Sequence, residues 1–422
     1  MDKGGGVTME NHEDKILSSM ENTGRGFYTI IGIAGLVVLW GVYAWATQFR
    51  VGLLTTGLNN TIIWGFYIAT FVFMIGISHA GILISATVRV MRLEKYKPVA
   101  RIAEVLTIVG LIMAVLSVVA DLGRPDRLLT LLFNIKLASP LSWDLVFISL
   151  YFVFSAFYLF ISMKKDIRHI TERFPGRAIL YKTMNRVYDL ITPEDDEKYE
   201  NMLNWIALLI LPFPVIGSGM VVAFIFSMLV ARPAWNVPFL GPYFITAAVV
   251  SGVSTVVIIA AILRRVFNWE EIISSEIILG LGSFLKIGIP FYAYFTFNEQ
   301  FTIQYVREHA ELVVSDTILV GQYASLFWVM VIFGFLIPEI ILVLPKTRNL
   351  TGVFIASIMV TMALWVKRFI IVVPAMMFPN LPYDYGSYAI TWVEWSVTAG
   401  IVALGVIIYS VFFKLFPIIE LE

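Results

Sequence analysis

Long apolar runs separated by short polar segments dominate the pattern along this chain. Runs of about 20 or more mostly apolar residues are long enough to cross the hydrocarbon core of a membrane. Ten such runs lie at 27–47, 61–88, 99–120, 142–163, 201–230, 241–265, 271–297, 317–343, 350–374 and 390–414. The pattern therefore predicts an all-α polytopic membrane protein with about ten transmembrane helices.

A weak internal repeat suggests how these helices are grouped. Gly65-Phe66-Tyr67-Ile68-Ala69-Thr70 opens the second run, and Gly241-Pro242-Tyr243-Phe244-Ile245-Thr246 opens the sixth. Each of these runs ends in basic residues, and each following run begins with a glutamate, Glu104 or Glu276. Because four helices separate the copies, the copies would share an orientation. We expect two four-helix bundles plus two flanking helices, and chance similarity between apolar helices is the alternative.

This arrangement divides the chain into five segments. The first 26 residues are polar and lack the apolar core and cleavage site of a signal peptide, so the first run should stay in the membrane. The segments are an N-terminal tail (1–26), a first flanking helix with its loop (27–60), the first bundle (61–230), the second bundle (231–374), and the last helix with a C-terminal tail (375–422).

Basic residues are distributed unequally between the two sides of the predicted membrane domain. Ten spans place both termini on one side, and that side carries most of the Lys and Arg residues. The positive-inside rule then places both termini in the cytoplasm and the chain in the cell (inner or cytoplasmic) membrane. The basic residues on the other side are Arg50, Arg124, Arg127, Lys136, Arg232 and Arg307.

Composition excludes several classes of function. Hydrophobic residues make up 59% of the chain and charged residues 14%, so a lipid bilayer is the expected surrounding. The formal net charge is zero, which gives no footprint for nucleic acid. Cysteine is absent, and of four histidines only His79 lies within an apolar run. We therefore expect no iron–sulfur cluster, no haem and no metal site in this chain.

The turn between the third and fourth runs carries the most concentrated candidate chemistry. Ionisable groups at membrane depth persist where they face a bundle interior or an aqueous pocket. Asp121, Arg124 and Asp144, with Trp143 as an aromatic wall, predict a polar ligand site at this turn. The alternatives are local: Arg124 could pair only with Asp126 in a turn, and Asp144 could serve the first turn of its helix.

Small residues surround the histidine of the second run. Gly76, Ala80 and Gly81 permit close helix contact. His79 could relay protons, because its unperturbed pKa lies near neutrality. A core histidine that is hydrogen-bonded across helices is the alternative.

The fifth run contains residues that disfavour a regular helix. Pro212 and Pro214 are followed by Gly217 and Gly219. Proline removes backbone hydrogen bonds, so we expect a kinked or broken helix that lines a cavity.

Several further charges lie in or at the edge of apolar runs and need partners. A proton or ion path and a structural network of ion pairs both account for them. These residues are Glu104, Glu276, Lys286, Glu339, Lys367 and Arg368.

An ordered set of motifs extends from the second run to the ninth. The motifs are Ser78-His79-Ala80-Gly81-Ile82-Leu83-Ile84-Ser85-Ala86, Arg101-Ile102-Ala103-Glu104, Asp121-Leu122-Gly123-Arg124-Pro125, Ser139-Pro140-Leu141-Ser142-Trp143-Asp144, and Trp365-Val366-Lys367-Arg368-Phe369 followed by Val373-Pro374. Over about residues 60 to 380, this ordered set resembles the NrfD/PsrC family of membrane subunits in polysulfide reductase-type, quinone reductase-type and alternative complex III-type assemblies.

The resemblance implies a subunit that binds menaquinone or ubiquinone near the outer side of the membrane. It also implies an iron–sulfur (ferredoxin-like) partner docked there, with further cytochrome or catalytic subunits. Asp121, Asp144, Arg124 and His79 are the candidate quinone-site residues. The alternative complex III branch has histidine where this chain has Asp121, so Asp121, Asp144 and His79 all remain candidates for the proton acceptor. A secondary transporter or other ion-translocating protein, and a purely structural anchor, are the alternatives.

Overall fold

A computed structural model of the chain describes residues 4–21, 23–379 and 384–421. The remaining positions lie outside it, and with them parts of the predicted tail segments 1–26 and 375–422. Within the described ranges, ten helices are long and apolar enough to cross a membrane. The prediction of an all-α membrane protein with ten spans is thus confirmed.

Most of the ten spans lie within a few residues of the predicted runs. Each is helical because a helix satisfies its backbone hydrogen bonds internally in lipid. We call the face that both ends of the chain reach the terminal face, and the other the opposite face. The spans are 1 (Arg25–Val51), 2 (Phe66–Val90), 3 (Lys97–Asp121), 4 (Pro140–Ser162), 5 (Asp196–Ile216), 6 (Leu240–Val266), 7 (Ser275–Val306), 8 (Ala324–Val343), 9 (Leu350–Met377) and 10 (Trp392–Leu415).

Shorter helices connect or extend the spans. The α-helices are Gly4–Glu21, Leu128–Phe133, Lys164–Ile170, Ala178–Ile191, Ala223–Ser227 and His309–Leu319. Single 3₁₀ turns lie at Leu53–Thr55, Glu94–Tyr96, Pro125–Arg127 and Pro175–Arg177. Span 5 divides into Asp196–Ile210 and Pro212–Ile216 and continues as a π-helical stretch, Gly217–Val222. Span 8 divides into Ala324–Val331, a π-helical stretch Ile332–Leu336, and Ile337–Val343.

Three span boundaries differ from the sequence prediction. The fifth run is predicted to end at 230, but span 5 ends at Ile216 and is followed by the π-helical stretch and the short helix Ala223–Ser227. The seventh run was expected to end at 297, but span 7 continues to Val306. The eighth run was expected to begin at 317, but His309–Leu319 forms a separate helix and span 8 begins at Ala324. Polar residues such as Glu299 are buried in span 7, so hydropathy alone ended the predicted helix too early.

Span 2 lies at the centre of the molecule because its small residues let two neighbours approach closely. It packs against spans 3, 6 and 9. A Cβ atom on Gly252 of span 6 would overlap Ala80, and one on Gly81 would overlap the span 3 backbone at Ala103. The predicted role of these residues in close helix contact is confirmed.

Spans 1 and 10 form a pair of their own. A Cβ atom on Gly41 would lie 2.8 Å from Cα of Gly400, so the two backbones are nearly in contact. Span 10 also packs against span 3. Among the other spans, contacts run between consecutive helices of spans 2–5 and of spans 6–9, and spans 6 and 9 also meet. The division into two four-helix bundles stays a prediction.

The N-terminal segment is more ordered than a surface tail. Its helix Gly4–Glu21 buries Ile16, Leu17 and Met20 against the terminal face. Arg173 holds the helix there through a 2.7 Å ion pair with Asp14. The spacing of the three apolar residues gives the helix one buried side, which explains its docking.

The segment after span 10 also folds back onto the terminal face. Arg101, which is 1% exposed, pairs with Asp166 and donates to the Pro417 carbonyl at 3.3 Å. The Leu421 amide donates to the other oxygen of Asp166 at 2.9 Å. Burial raises the pKa of the Asp166 carboxyl, and the Arg101 charge opposes that shift.

Candidate functional site

The turn between spans 3 and 4 does not gather its charges at one point. Arg124 donates to both oxygens of Asp126, at 3.0 and 2.8 Å, and these side chains are 62% and 51% exposed. Hydrogen bonds from Arg124 hold the pKa of Asp126 below its usual value. Arg124 therefore pairs with Asp126 within the turn, as the local alternative predicts. Its guanidinium lies at the surface of the opposite face.

Asp121 ends span 3 and faces spans 2 and 10. Its Oδ1 atom is buried and has no hydrogen-bond partner among the described residues. Asp121 interacts electrostatically with Tyr67 and Glu394. Gln48 joins this group, because it accepts from the Tyr67 hydroxyl at 2.8 Å and donates to the carbonyl of Ala120 at 2.6 Å.

Glu394 has a structural explanation. It is fully buried and accepts hydrogen bonds from the backbone amides of Gly57 at 3.0 Å and Thr391 at 2.9 Å, and from the Tyr388 hydroxyl. Thr391 and Glu394 form the capping box that begins span 10. In this group, Asp121 is thus the carboxylate that has a buried oxygen without a hydrogen-bond partner among the described residues.

Asp144 lies on span 4 and is 8% exposed. Tyr151 follows two helical turns later, on the same side of the helix. Its hydroxyl donates to the carbonyl of Ser78 at 2.9 Å, and its ring centroid lies 5.1 Å from that of His79. Span 4 therefore carries Asp144 and the neighbour of His79 on one buried side.

The interruption in span 5 brings backbone directly against this group. A Cβ atom on Gly217 would lie 2.7 Å from the Phe147 ring and 2.9 Å from Nε2 of His79. Gly217 begins the π-helical stretch, a deformation that is frequent at functional sites. The predicted break in the fifth helix is present, and a glycine is needed where the backbone passes His79.

A cavity of about 360 Å³ adjoins the interrupted helix. Its size falls within the range of small-molecule pockets. Trp143 forms one wall, held by a 2.7 Å hydrogen bond from its indole to the carbonyl of Leu137. The lining residues are Leu137, Ala138, Pro140, Trp143, Ile216, Val221, Phe224 and Met228.

Buried hydroxyl groups extend from His79 toward the terminal face. Thr107 donates to the same Ser78 carbonyl at 3.0 Å, and Ser155 lies one turn beyond Tyr151 on span 4. Glu104 comes next; it is 3% exposed and accepts from Ser85 and, at 3.1 Å, from Ser162.

A polar cavity of about 170 Å³ continues from Glu104 to the terminal face. Arg89 crosses it, donating to the Tyr158 hydroxyl at 3.1 Å and pairing with Glu200 at 3.1 Å and Glu420 at 3.4 Å. The volume would hold about five water molecules. Ionisable side chains and space for water thus reach Glu104 from that side.

Spans 6–9 contain a buried ion pair of which the sequence pattern predicts only one member, Lys367. Lys367 pairs with Glu299 at 2.5 Å, and both side chains are less than one-tenth exposed. Glu299 was missed because it lies two residues past the predicted end of the seventh run. Arg368 places its guanidinium 4.2 Å from the ring centroid of Phe244, and its Nη1 has no hydrogen-bond partner among the described residues.

The other predicted charges lie nearer the surface. Glu276 is 75% exposed and pairs with Lys95 at 3.0 Å, so it stands outside the buried groups. Lys286 and Glu339 are partly buried and interact electrostatically. The two glutamates of the internal repeat therefore lie in different environments: Glu104 is buried and Glu276 is exposed.

Comparison with known proteins identifies relatives of the chain. The family model described as polysulphide reductase, NrfD, matches residues 54–380. The chain is 26% identical to a protein of Halobacterium salinarum named as a dimethyl sulfoxide reductase membrane subunit, over 96% of this chain and 93% of that protein. It is 26% identical to an Hdr-like menaquinol oxidoreductase integral membrane subunit of Archaeoglobus fulgidus, over 93% and 94%. It is 20% identical to a menaquinone reductase integral membrane subunit of Nitratidesulfovibrio vulgaris, over 91% and 90%. The resemblance found in the motifs is confirmed, and the chain belongs to the polysulphide reductase NrfD family.

Proposed function

We propose that this chain is the quinone-binding membrane subunit of a respiratory oxidoreductase complex. It exchanges electrons between menaquinone or ubiquinone and an iron–sulfur partner subunit at the opposite face, with further cytochrome or catalytic subunits in the complex. The names of two relatives, a menaquinol oxidoreductase subunit and a menaquinone reductase subunit, support the substrate class. The observation that carries the proposal is the buried side of span 4 beside an interrupted helix and an apolar cavity: it bears Asp144 and, two turns further on, Tyr151 next to His79.

The residues fit the requirements of a quinone. Oxidation of a quinol needs a base for its hydroxyl protons, and the ring and prenyl chain need an apolar slot. Asp144 and His79 supply proton-accepting groups, and the cavity walled by Trp143 takes the apolar part of the molecule. Asp121, whose Oδ1 lacks a partner among the described residues, lies in the separate group with Tyr67 and Gln48 and is the second candidate carboxylate.

Arg124 takes a different role from the one expected of a site residue. It pairs with Asp126 at the surface, which supports a role in contacting a docked partner rather than a quinone oxygen.

The quinone reaction needs a second protein that accepts or supplies its electrons. Oxidation of a quinol releases two electrons and two protons, and reduction of a quinone consumes them. The chain has no cysteine to ligate an iron–sulfur cluster, so the electrons pass to or from clusters in the partner subunit. The protons pass through the carboxylates and His79.

The proposal also couples the quinone reaction to proton movement across the membrane. The polar cavity at the terminal face, Glu104 and the hydroxyl groups between Glu104 and His79 form a series of groups that can carry protons. With both termini in the cytoplasm, this series connects the cytoplasm to the quinone site.

Substitution of Asp144 tests the site. We expect Asp144→Asn to lower quinone-linked turnover of the purified complex about 100-fold or more, the size of a general-base contribution. Asp121→Asn should lower it as well. Asp126→Asn is the matched control, since Asp126 is an exposed carboxylate of the same turn, and it should keep turnover within two-fold.

Assembly with the partner subunits and their cluster spectra must stay unchanged in each variant. Full turnover in both the Asp144 and Asp121 variants would contradict the placement of the site and favour a transporter or a structural anchor.

A further inference from the structure

A second apolar space lies between spans 7 and 8, in a part of the chain that the proposed quinone site does not use. Its volume is about 610 Å³, larger than the cavity at Trp143. Aromatic side chains form much of its wall. They are Phe297, Phe301, Phe327, Trp328 and Phe335.

The cleft is a consequence of two irregular helices. Pro290 lies inside span 7, where it removes a backbone hydrogen bond. Span 8 contains the π-helical stretch Ile332–Leu336, and Gly334 within it packs so closely on Ala363 of span 9 that a Cβ atom would overlap it. Span 8 is thereby held against span 9 at this level, and space remains on its span 7 side.

One polar side chain in the cleft wall carries a hydrogen-bond donor. Gln300 is 7% exposed and lines the cleft, and its Oε1 accepts from the Ser315 hydroxyl at 2.8 Å. That hydrogen bond uses the amide oxygen, so the Nε2 amide is the donor that a ligand with a carbonyl oxygen would meet in the cleft.

The charges at the cleft argue against a phosphate head group. Glu339 lines it toward the terminal face, with a buried Oε2 that has no hydrogen-bond partner among the described residues. Toward the opposite face, Gln304 is held by Asp316 at 2.9 Å. The described lining contains no Lys or Arg, so a lipid with an uncharged, carbonyl-bearing head fits better than an anionic phospholipid.

We propose that the cleft between spans 7 and 8 binds a second quinone, separate from the one at Asp144. A ring carbonyl accepts from Nε2 of Gln300, the ring lies among the aromatic walls, and the prenyl chain follows the apolar floor near Ile289 and Pro290. The choice of a quinone over other neutral lipids rests on the proposed function. The site holds quinone without redox chemistry of its own.

Filling the cleft tests the proposal. The complex, with its partner subunits, is reconstituted in nanodiscs, equilibrated with excess short-chain menaquinone, washed, and its bound quinone is extracted and quantified per complex. Ala293→Trp, which fills the cleft, and Gln300→Leu, which removes the donor, should each lose about one quinone per complex. Ile287→Trp is the matched control, because Ile287 lies on the same helix with its side chain exposed and does not line the cleft.

Quinone-linked turnover separates this proposal from the proposed function. Turnover should stay within two-fold in Ala293→Trp, whereas Asp144→Asn should lose turnover and keep the quinone of the cleft. Unchanged quinone content in both cleft variants would overturn the proposal. Loss of a phospholipid instead of a quinone, seen by native mass spectrometry, would overturn it as well and would identify the cleft as a lipid site.

Discussion

Individual charged residues in the membrane domain differ in whether they have partners. Lys367 and Glu299 form a closed pair, which explains both charges without any proton transfer. Asp121 and Arg368 each keep a buried polar atom without a hydrogen-bond partner among the described residues. Charges that are paired with each other support the fold. Charges that keep an unpartnered polar atom are better candidates for function.

The Lys367–Glu299 pair can be tested as a structural element by a double-mutant cycle. Removing one partner of a buried pair leaves an uncompensated charge and costs about 3–5 kcal/mol. We therefore expect Lys367→Met and Glu299→Gln to lower the thermal stability of the purified complex strongly. The double variant should recover most of the loss. If each single variant stayed stable and only proton coupling were lost, the pair would belong to a proton path.

At the scale of single residues, sequence can predict a feature that depends only on the residue type and on the helix in which the residue lies. His79 and Asp144 could be selected as candidates because each is ionisable and lies in an apolar run. Partners from distant segments could not be predicted: Glu420 reaches Arg89 from the end of the chain, across 331 positions. Sequence also left open whether Arg124 serves the site or only its turn, and in the structure a partner two residues away satisfies it.

At the scale of helices, close packing depends on a few glycines. Span 2 meets span 6 through Ala80 and Gly252, where any side chain on Gly252 would overlap its neighbour. Sequence predicted the small face of span 2 but not its partner, because small residues are common throughout these spans.

Replacement of Gly252 by alanine should therefore destabilise the protein. Overpacking costs about 1–3 kcal/mol. In an open helix position the same change stabilises by about 0.5–1 kcal/mol. Gly35→Ala in span 1 is the control, since a Cβ atom there meets nothing within 4 Å. The check is thermal unfolding of the two variants in detergent, and equal stability would contradict the packing.

The two interrupted helices show what sequence can and cannot predict about helix geometry. Pro212 and Pro214 precede the π-helical stretch of span 5, so the sequence indicated that break. The stretch Ile332–Leu336 of span 8 precedes Pro338. Pro338 lies inside the predicted eighth run, 317–343, and the π-helical deformation before it had no separate signal in the sequence.

Across the whole molecule, polar groups extend from the terminal face to the proposed quinone site within spans 2–5. Glu104 is the buried carboxylate between the polar cavity and the hydroxyl groups near His79. The corresponding glutamate of the internal repeat, Glu276, is exposed. This contrast supplies a test in which the two repeats serve as experiment and control.

Neutralising Glu104 should uncouple proton uptake from electron transfer. In proteoliposomes with an internal pH indicator, Glu104→Gln should lower quinone-linked proton uptake from the terminal face at least ten-fold. Ser85 and Ser162 donate to different oxygens of Glu104, so the amide oxygen of glutamine can keep one of these hydrogen bonds and its amide N–H can donate to the other hydroxyl. Assembly should therefore persist. Glu276→Gln should behave as the unchanged protein. Normal uptake in Glu104→Gln would assign Glu104 to structure alone.

The orientation of the chain decides on which side the partner docks, and the absence of cysteine makes it directly measurable. Single cysteines can be placed at exposed positions of the two faces, Asn134→Cys on the opposite face and Thr183→Cys on the terminal face. The positive-inside rule predicts that the terminal face lies in the cytoplasm, so a membrane-impermeant maleimide should label Asn134→Cys from outside spheroplasts. Thr183→Cys should react only after the membrane is opened. The reverse pattern would put the proposed quinone site and the proposed iron–sulfur partner on the cytoplasmic side, and electrons would then be exchanged with a cytoplasmic protein.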